Sequence, residues 1–187
     1  MTPEQVISKM EGMVSFQLGI PGGSIASQGN QVVADWVRSL KTILKDPSKR
    51  YLTDFEFELM PDVDETGVET AIGTATHLCA ILCEAVASTS ADAGAWVVCV
   101  DASGNTFDGT AALPNTVVAA VVLNTPTTTG VSEFTPVIFM AGESGVAAAA
   151  YSTSGIELAT DLTISADGVD GANPATDAIR VWVLYRI

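Results

Sequence analysis

The chain has 187 residues, of which 48% are hydrophobic and 16% are charged, and its formal net charge at pH 7 is −14. This length fits one domain, or one domain with a short appendage, and the apolar content is too high for an intrinsically disordered chain. The negative charge argues against nucleic acid and anionic membrane as partners, because both are bound by clustered Lys and Arg side chains.

Positive and negative charges are unevenly distributed along the chain. Residues 1–50 contain six of the eight Lys and Arg residues and four acids, whereas residues 51–179 contain 18 acids and no Lys or Arg. The last eight residues contain the other two arginines. This segregation predicts a mildly basic N-terminal appendage over residues 1–50 and a strongly acidic body over residues 51–187.

Two helices joined by a linker are predicted over residues 1–50. Thr2 is a suitable N-cap and Pro3 suits the first helical position, and apolar residues follow at helical spacing. Residues 20–30 are rich in Gly, Pro and Ser, which predicts an extended linker. Residues 31–45 form a second helix, with an apolar stripe beside a face of Lys and Arg.

The hydrophobic period changes from 3.6 to 2 after residue 53. Phe55, Phe57 and Leu59 alternate with acids, which predicts a strand with these three side chains inward and the acids outward. Further strands are predicted over residues 76–86, 95–101, 116–123, 134–140, 145–151, 157–165 and 178–187. Eight short strands with no helix between them predict a mainly β fold, an antiparallel β-sandwich of the jelly-roll type with an N-terminal helical or extended arm.

The cysteines and the single histidine give no sign of catalysis. Cys79, Cys83 and Cys99 lie in apolar runs, and their odd number favours buried thiols over disulfides. Cys79 and Cys83 would lie about 13 Å apart along a strand, too far to bind one zinc ion. His77 would have to serve any His-dependent mechanism, and no nucleophile motif lies near it. We therefore predict no catalytic residues and no metal ligands.

The first residues of the chain do not predict export. They lack the basic start and apolar centre of a signal peptide, and no apolar stretch approaches the roughly 20 residues of a membrane span. Together with the absence of a disulfide framework, this predicts a protein that folds in a reducing cytosol.

Acidic side chains suggest two alternatives to a purely structural protein. Residues 62–65 and 167–173 cluster oxygen ligands of the kind that calcium prefers, although neither matches the EF-hand pattern and acidic turns are expected in so acidic a body. A pair of carboxylates could hydrolyse a glycoside, but Glu56 and Glu58 belong to the solvated face of a strand. No cofactor is predicted, and calcium remains an alternative.

The arm of residues 1–50, with its Gly19-Ile20-Pro21-Gly22-Gly23 stretch, and the acidic Ala-, Thr- and Val-rich body together resemble bacteriophage capsid cement or decoration proteins. The resemblance covers the whole chain and lies in its overall character. It implies a non-enzymatic virion protein, made in the host cytoplasm, that binds the major capsid protein outside the head as a homotrimer and stabilises the shell.

By this resemblance, the arm makes contacts with the capsid or between subunits. The residues expected in these contacts are Ile20, Pro21, Trp36, Arg38, Lys41, Lys45 and Arg50. The alternative function is a phage fibre or spike module that recognises glycan, with or without calcium at the acidic loops. An enzyme comes third, since a cupin-like metal site needs several histidines and the chain has one.

Overall fold

A computed structural model describes the chain in stretches that comprise residues 1–17, 28–49, 51–60, 70–86, 95–101, 117–123, 132–140, 154–168 and 179–187. Helix α1 is Pro3–Gln17 and helix α2 is Gln28–Leu44, followed by a 3₁₀ turn at Pro47–Lys49. The strands are β1 Phe55–Met60, β2 Thr70–Ile72, β3 His77–Val86, β4 Ala95–Val100, β5 Val117–Leu123, β6 Ser132–Ile138, β7 Ile156–Glu157, β8 Leu162–Gly168 and β9 Ile179–Arg186. The predicted mainly antiparallel β fold with an N-terminal helical part is confirmed.

The strands form two antiparallel sheets. Sheet A has the order β1-β9-β3-β6, with β7 paired to the first residues of β3. Sheet B has the order β2-β8-β4-β5. In sheet A, Leu184 of β9 lies opposite Phe57 of β1 on one side and opposite Ala80 of β3 on the other.

Helix α1 begins as the sequence predicts. The backbone N–H of Thr2 donates to Oε1 of Gln5 at 2.8 Å, and the N–H of Gln5 donates to Oγ1 of Thr2 at 3.3 Å. This reciprocal capping box satisfies two of the backbone donors that a helix leaves unpaired at its N-terminus.

Helices α1 and α2 cover one face of sheet A and together form what we call the helical layer. Their apolar stripes and the facing side chains of the sheet share one buried cluster. Its members are Val6, Ile7, Met10, Val33, Trp36, Val37, Leu40 and Leu44 from the helices and Phe55, Phe57, Cys79, Ala80, Leu82, Met140, Trp182 and Leu184 from the β part. The described part of the predicted arm is therefore packed on the sheet, while a domain boundary at residue 50 stays a prediction.

The other face of sheet A shares a second buried cluster with sheet B. Strand β9 is apolar at almost every position because both of its faces are buried. Val181 and Val183 belong to this second cluster, while Trp182 and Leu184 belong to the first. Sheet B contributes Ile72, Val97, Cys99, Val121, Leu162 and Ile164 to the second cluster. A strand buried on both faces needs no polar alternation.

Several strand predictions were wrong in detail. Strand β2 was not predicted, and the single strand expected over residues 157–165 is divided into β7 and β8. Leu59 was expected to be buried beside Phe55 and Phe57 but is 42% exposed, because the buried cluster under the helices includes those two side chains and does not extend to Leu59. The strand predicted over residues 145–151 lies outside the described stretches.

Candidate interaction surface

Helix α2 turns a polar face away from the sheet. Trp36, Val37 and Leu40 are buried against sheet A, whereas Arg38 and Thr42 on the opposite side are exposed. This division is the expected result of an amphipathic helix on a sheet. The sequence therefore places the charged residues of α2 on the outer surface of the helical layer.

Arg38, Lys41 and Lys45 follow one another at i, i+3 and i+7, so they lie along one side of the helix, and we call them the basic stripe. The side chain of Arg38 is 70% exposed and that of Lys41 is 37% exposed. Lys45 is also exposed, and its N–H donates to the carbonyl of Lys41 at 3.1 Å, which continues the helical turn to the end of the stripe.

Two of the three cations in the basic stripe already have carboxylate neighbours. Arg38 pairs with Asp35 of the same helix, and Lys41 pairs with Glu11 of α1. Because the side chains of all four residues are at least one-third exposed, such pairs contribute little to stability and can exchange for other carboxylates. The stripe can therefore bind an acidic surface without unfolding the helical layer.

Trp36 does not belong to this surface. It is only 3% exposed, its Nε1–H donates to the carbonyl of Val137 at 3.5 Å, and its ring centroid lies 6.2 Å from that of Phe57. The helix uses this side chain to pack on the sheet, and a contact of Trp36 with a capsid or another subunit stays a prediction. Ile20, Pro21 and Arg50 lie outside the described residues.

The only cations after residue 50 are tied to carboxylates. Arg186 donates to both oxygens of Asp54, from Nε at 3.0 Å and from Nη2 at 2.7 Å. Burial alone would raise the pKa of Asp54, but the hydrogen bonds and charge of Arg186 outweigh it and hold this pKa below its usual value. Arg180 lies 3.4 Å from the buried carboxylate of Glu84. Both arginines thus neutralise acids of the β part.

His77 and Cys79 lie near each other in β3, but their surroundings do not activate a nucleophile. Burial and the nearby charge of Arg186 lower the pKa of His77, against the opposing effect of Glu157 and Asp54. The thiol of Cys79 is directed at the carbonyls of His77 and Ser154. Burial raises the pKa of Cys79 far above its usual value, so the reactive thiolate is not formed at neutral pH.

We expect all three cysteines to resist thiol reagents in the folded protein. Cys79, Cys83 and Cys99 are fully buried, and burial raises the pKa of each thiol, that of Cys99 to about 12. Titration with a chromogenic disulfide reagent should therefore label none of them in buffer and all three in denaturant. Labelling of one cysteine within minutes in buffer would contradict the burial of that strand.

Asp101 joins the end of β4 to the segment before β8. Its carboxylate accepts hydrogen bonds from the N–H of Ala159 at 2.7 Å, and from the N–H at 2.9 Å and Oγ1–H at 3.0 Å of Thr160. Burial opposes ionisation, but these bonds outweigh it and lower the pKa of Asp101. The acid at this position is therefore a structural connection between two parts of the chain.

The substitution Asp101→Asn should lower the free energy of unfolding at pH 7 by about 1–2 kcal/mol, because an amide accepts these donors less well. The pKa of Asp101 is lowered in the folded state. The extra stability of the wild type is therefore fully present above the usual carboxyl pKa, and it is lost as the pH falls through the folded-state pKa. Urea denaturation of both proteins between pH 7 and pH 3 measures this. An equal difference at both pH values would contradict a role for the charge.

The described stretches contain no group of three or more His, Cys, Asp or Glu side chains that could hold a metal ion. The acidic loop at residues 62–65 lies outside them, as do residues 169–173 of the second loop. No helix in the described part of the chain is long and apolar enough to cross a membrane. Calcium at the acidic loops stays a prediction.

Comparison with protein-family models, with curated proteins and with solved structures gives no match to this chain. The functional argument therefore depends on the charges, burial and contacts described above.

Proposed function

We propose that this protein is a non-enzymatic accessory protein of a bacteriophage head, which binds the major capsid protein on the outside of the shell and stabilises it. The observation that carries the proposal is the division of charge between the layers. The helical layer presents the basic stripe, while residues 51–179 contain 18 acids and no Lys or Arg. The helical layer is thereby suited to contact an acidic partner, whereas the acidic residues of one copy repel those of another copy.

We further propose that the two sheets form a jelly-roll sandwich. If the two-residue strand β7 is left out, the pairs β1·β9, β2·β8, β3·β6 and β4·β5 are nested, the first strand with the last and so on inward. Such nesting is what results when a long antiparallel hairpin is rolled up, and the further pairs β3·β9 and β4·β8 close the roll. The jelly roll is a common fold of viral capsid domains.

The absence of an active thiol or imidazole is consistent with this function. Cys79 is buried and protonated, and the ring of His77 bonds to Thr76 at 3.0 Å beside Arg186. A protein of this kind acts through contact area, and many copies on a symmetrical lattice add avidity to weak single contacts. In this proposal the helical layer supplies contacts with the shell or with neighbouring copies, and the acidic β part faces outward.

The proposal is tested by sedimentation of the purified chain with heads of the phage that carries its gene, prepared without the protein. We expect saturable binding at a fixed number of copies per major capsid protein, and heads that resist a higher temperature or a lower salt concentration. Absence of binding, or binding without any gain in head stability, would refute the proposal. Deleting residues 1–50 is an unsuitable test, because it uncovers the apolar face of sheet A.

The alternative function of glycan recognition by a fibre or spike module stays a prediction. The loops at which it was expected lie wholly or mostly outside the described residues. A glycan array with the same protein, in calcium and in chelator, distinguishes the two functions.

A further inference from the structure

We propose that the basic stripe of one copy binds the acidic pair Glu56 and Glu58 on strand β1 of a second copy. This contact would join copies of the chain head to tail. It goes beyond the proposed function, because it assigns the partner of the stripe and holds whether or not the protein binds a phage head.

The acidic side of the contact lies on an edge strand. Glu56 and Glu58 project from the same side of β1, which is one of the two end strands of sheet A among the described residues. The side chain of Glu56 is 38% exposed and its Oε1 lies 3.6 Å from the N-terminal ammonium of Met1, a partly exposed pair that can exchange for another cation, and Glu58 is exposed. The Tyr185 hydroxyl donates to Oε1 of Glu58 at 2.6 Å, which fixes this carboxylate in place and leaves its remaining acceptor sites available.

The spacing of the two charge pairs matches. Lys41 and Lys45 are four residues apart on a helical path, which corresponds to about 6 Å along the axis. Glu56 and Glu58 are two residues apart on a strand, which corresponds to about 6.7 Å. Two lysines can therefore meet two glutamates at the same time, and Arg38 extends the contact by another turn.

The basic stripe and the acidic pair are two different surfaces of the molecule. Helix α2 packs on β6 and helix α1 on β1, and these strands are the two ends of the order β1-β9-β3-β6. Four strands place the edges about 14 Å apart. A contact between different surfaces is heterologous, so it produces a closed ring if its rotation closes and a filament if it does not.

Charge favours this pairing over a contact between the β1 strands of two copies. Two copies meeting through β1 would bring glutamates together, and like charges across a strand pair are destabilising. The net charge of −14 opposes any association at long range. At about 0.15 M salt, however, the screening length is about 8 Å, so distant acids are screened while charges in contact are not.

The experiment measures the solution mass of the full chain by light scattering at 0.15 M salt, across a range of protein concentrations. We expect wild type to be oligomeric. The variants Lys41→Glu/Lys45→Glu and Glu56→Lys/Glu58→Lys should each dissociate at concentrations at least about tenfold higher than wild type. An equimolar mixture of the two variants should restore the oligomer, because each reversed surface then meets its complement.

Matched controls change the same charge elsewhere. Lys9 lies on the exposed face of α1 and Glu157 is exposed on β7. The variants Lys9→Glu and Glu157→Lys should therefore leave the solution mass unchanged. Thermal unfolding followed by circular dichroism checks that each variant is folded. If Lys41→Glu/Lys45→Glu does not fold, the neutral variant Lys41→Gln/Lys45→Gln replaces it. A monomeric wild type, variants that behave like the controls, or a mixture that stays dissociated would each overturn the proposal. Binding to phage heads is measured separately, so that failure of the contact between copies does not decide the proposed function, and failure of head binding does not decide the contact.

Discussion

Replacing Trp36 with alanine is expected to lower the free energy of unfolding of the whole domain by about 3–5 kcal/mol, as for other large buried aromatic side chains. Trp36 is 3% exposed and lies between the helical layer and sheet A, where its ring meets that of Phe57. Its loss leaves a cavity on the apolar face of the sheet and removes the donor to the Val137 carbonyl. Urea denaturation followed by far-UV circular dichroism measures the effect.

The control is Arg38→Ala, two residues along the same helix. Its side chain is 70% exposed and forms an exposed ion pair with Asp35, so the expected change is within about 0.5 kcal/mol. The comparison separates two descriptions of residues 1–50. If these residues were an appendage that merely adjoins the β part, Trp36→Ala would leave the unfolding of the sheets unchanged, and such a result would contradict a shared core.

The sequence predicted the local structure of the N-terminal part better than its position. Thr2 and Pro3 at the start of α1 and the helical spacing of apolar residues in both segments are local signals, and they predicted both helices. Where the apolar stripe packs is not a local property, because an amphipathic helix can cover its own sheet or a partner with equal ease. The sheet has apolar side chains on both faces, as Trp182 and Val183 show, and this was the available sign that a further layer covers it.

Strand β3 shows a second limit of the sequence. Its apolar run His77–Val86 predicts a strand, but not the irregularity between Leu78 and Ala80. The shift lies in the pairing of β3 with β9, whereas β7 and β6 pair in succession along the other edge of β3. The partner strand β9 lies 94 to 109 residues away along the chain, from the pair Ala85 and Ile179 to the pair His77 and Arg186, and no pattern within β3 encodes the shift.

The candidate surface was predictable only in part. Arg38, Lys41 and Lys45 were identified from their position on the polar side of a helix, and the structure places them together. The pairing of Arg38 with Asp35 is readable from the i, i+3 spacing. The pairing of Lys41 with Glu11 joins two helices and could not be read from the chain. The burial of Trp36 against sheet A could not be predicted either, because an apolar stripe looks the same in sequence whichever partner buries it.

The second large effect is expected at Gly155. This residue has φ of 103°, in the left-handed region that favours glycine, and it lies against the irregular part of β3 just before β7. A Cβ atom added there would lie 2.6 Å from the carbonyl oxygen of Leu78 and 3.1 Å from Sγ of Cys79. The backbone must move to relieve this contact, so Gly155→Ala should lower the free energy of unfolding by about 2–3 kcal/mol.

Gly73→Ala is the matched control, since an added Cβ at that position meets nothing within 4 Å. It should change stability by no more than about 0.5 kcal/mol. Strain at Gly155 also predicts where the damage occurs. The hydrogen bond from the Leu158 N–H to the Thr76 carbonyl, at 2.9 Å, closes the pairing of β7 with β3 and should open first. Faster amide exchange at Leu158 in Gly155→Ala than in Gly73→Ala would support this account. Equal exchange and equal stability in the two variants would mean that the chain adapts to the added methyl group and that glycine is not required at position 155.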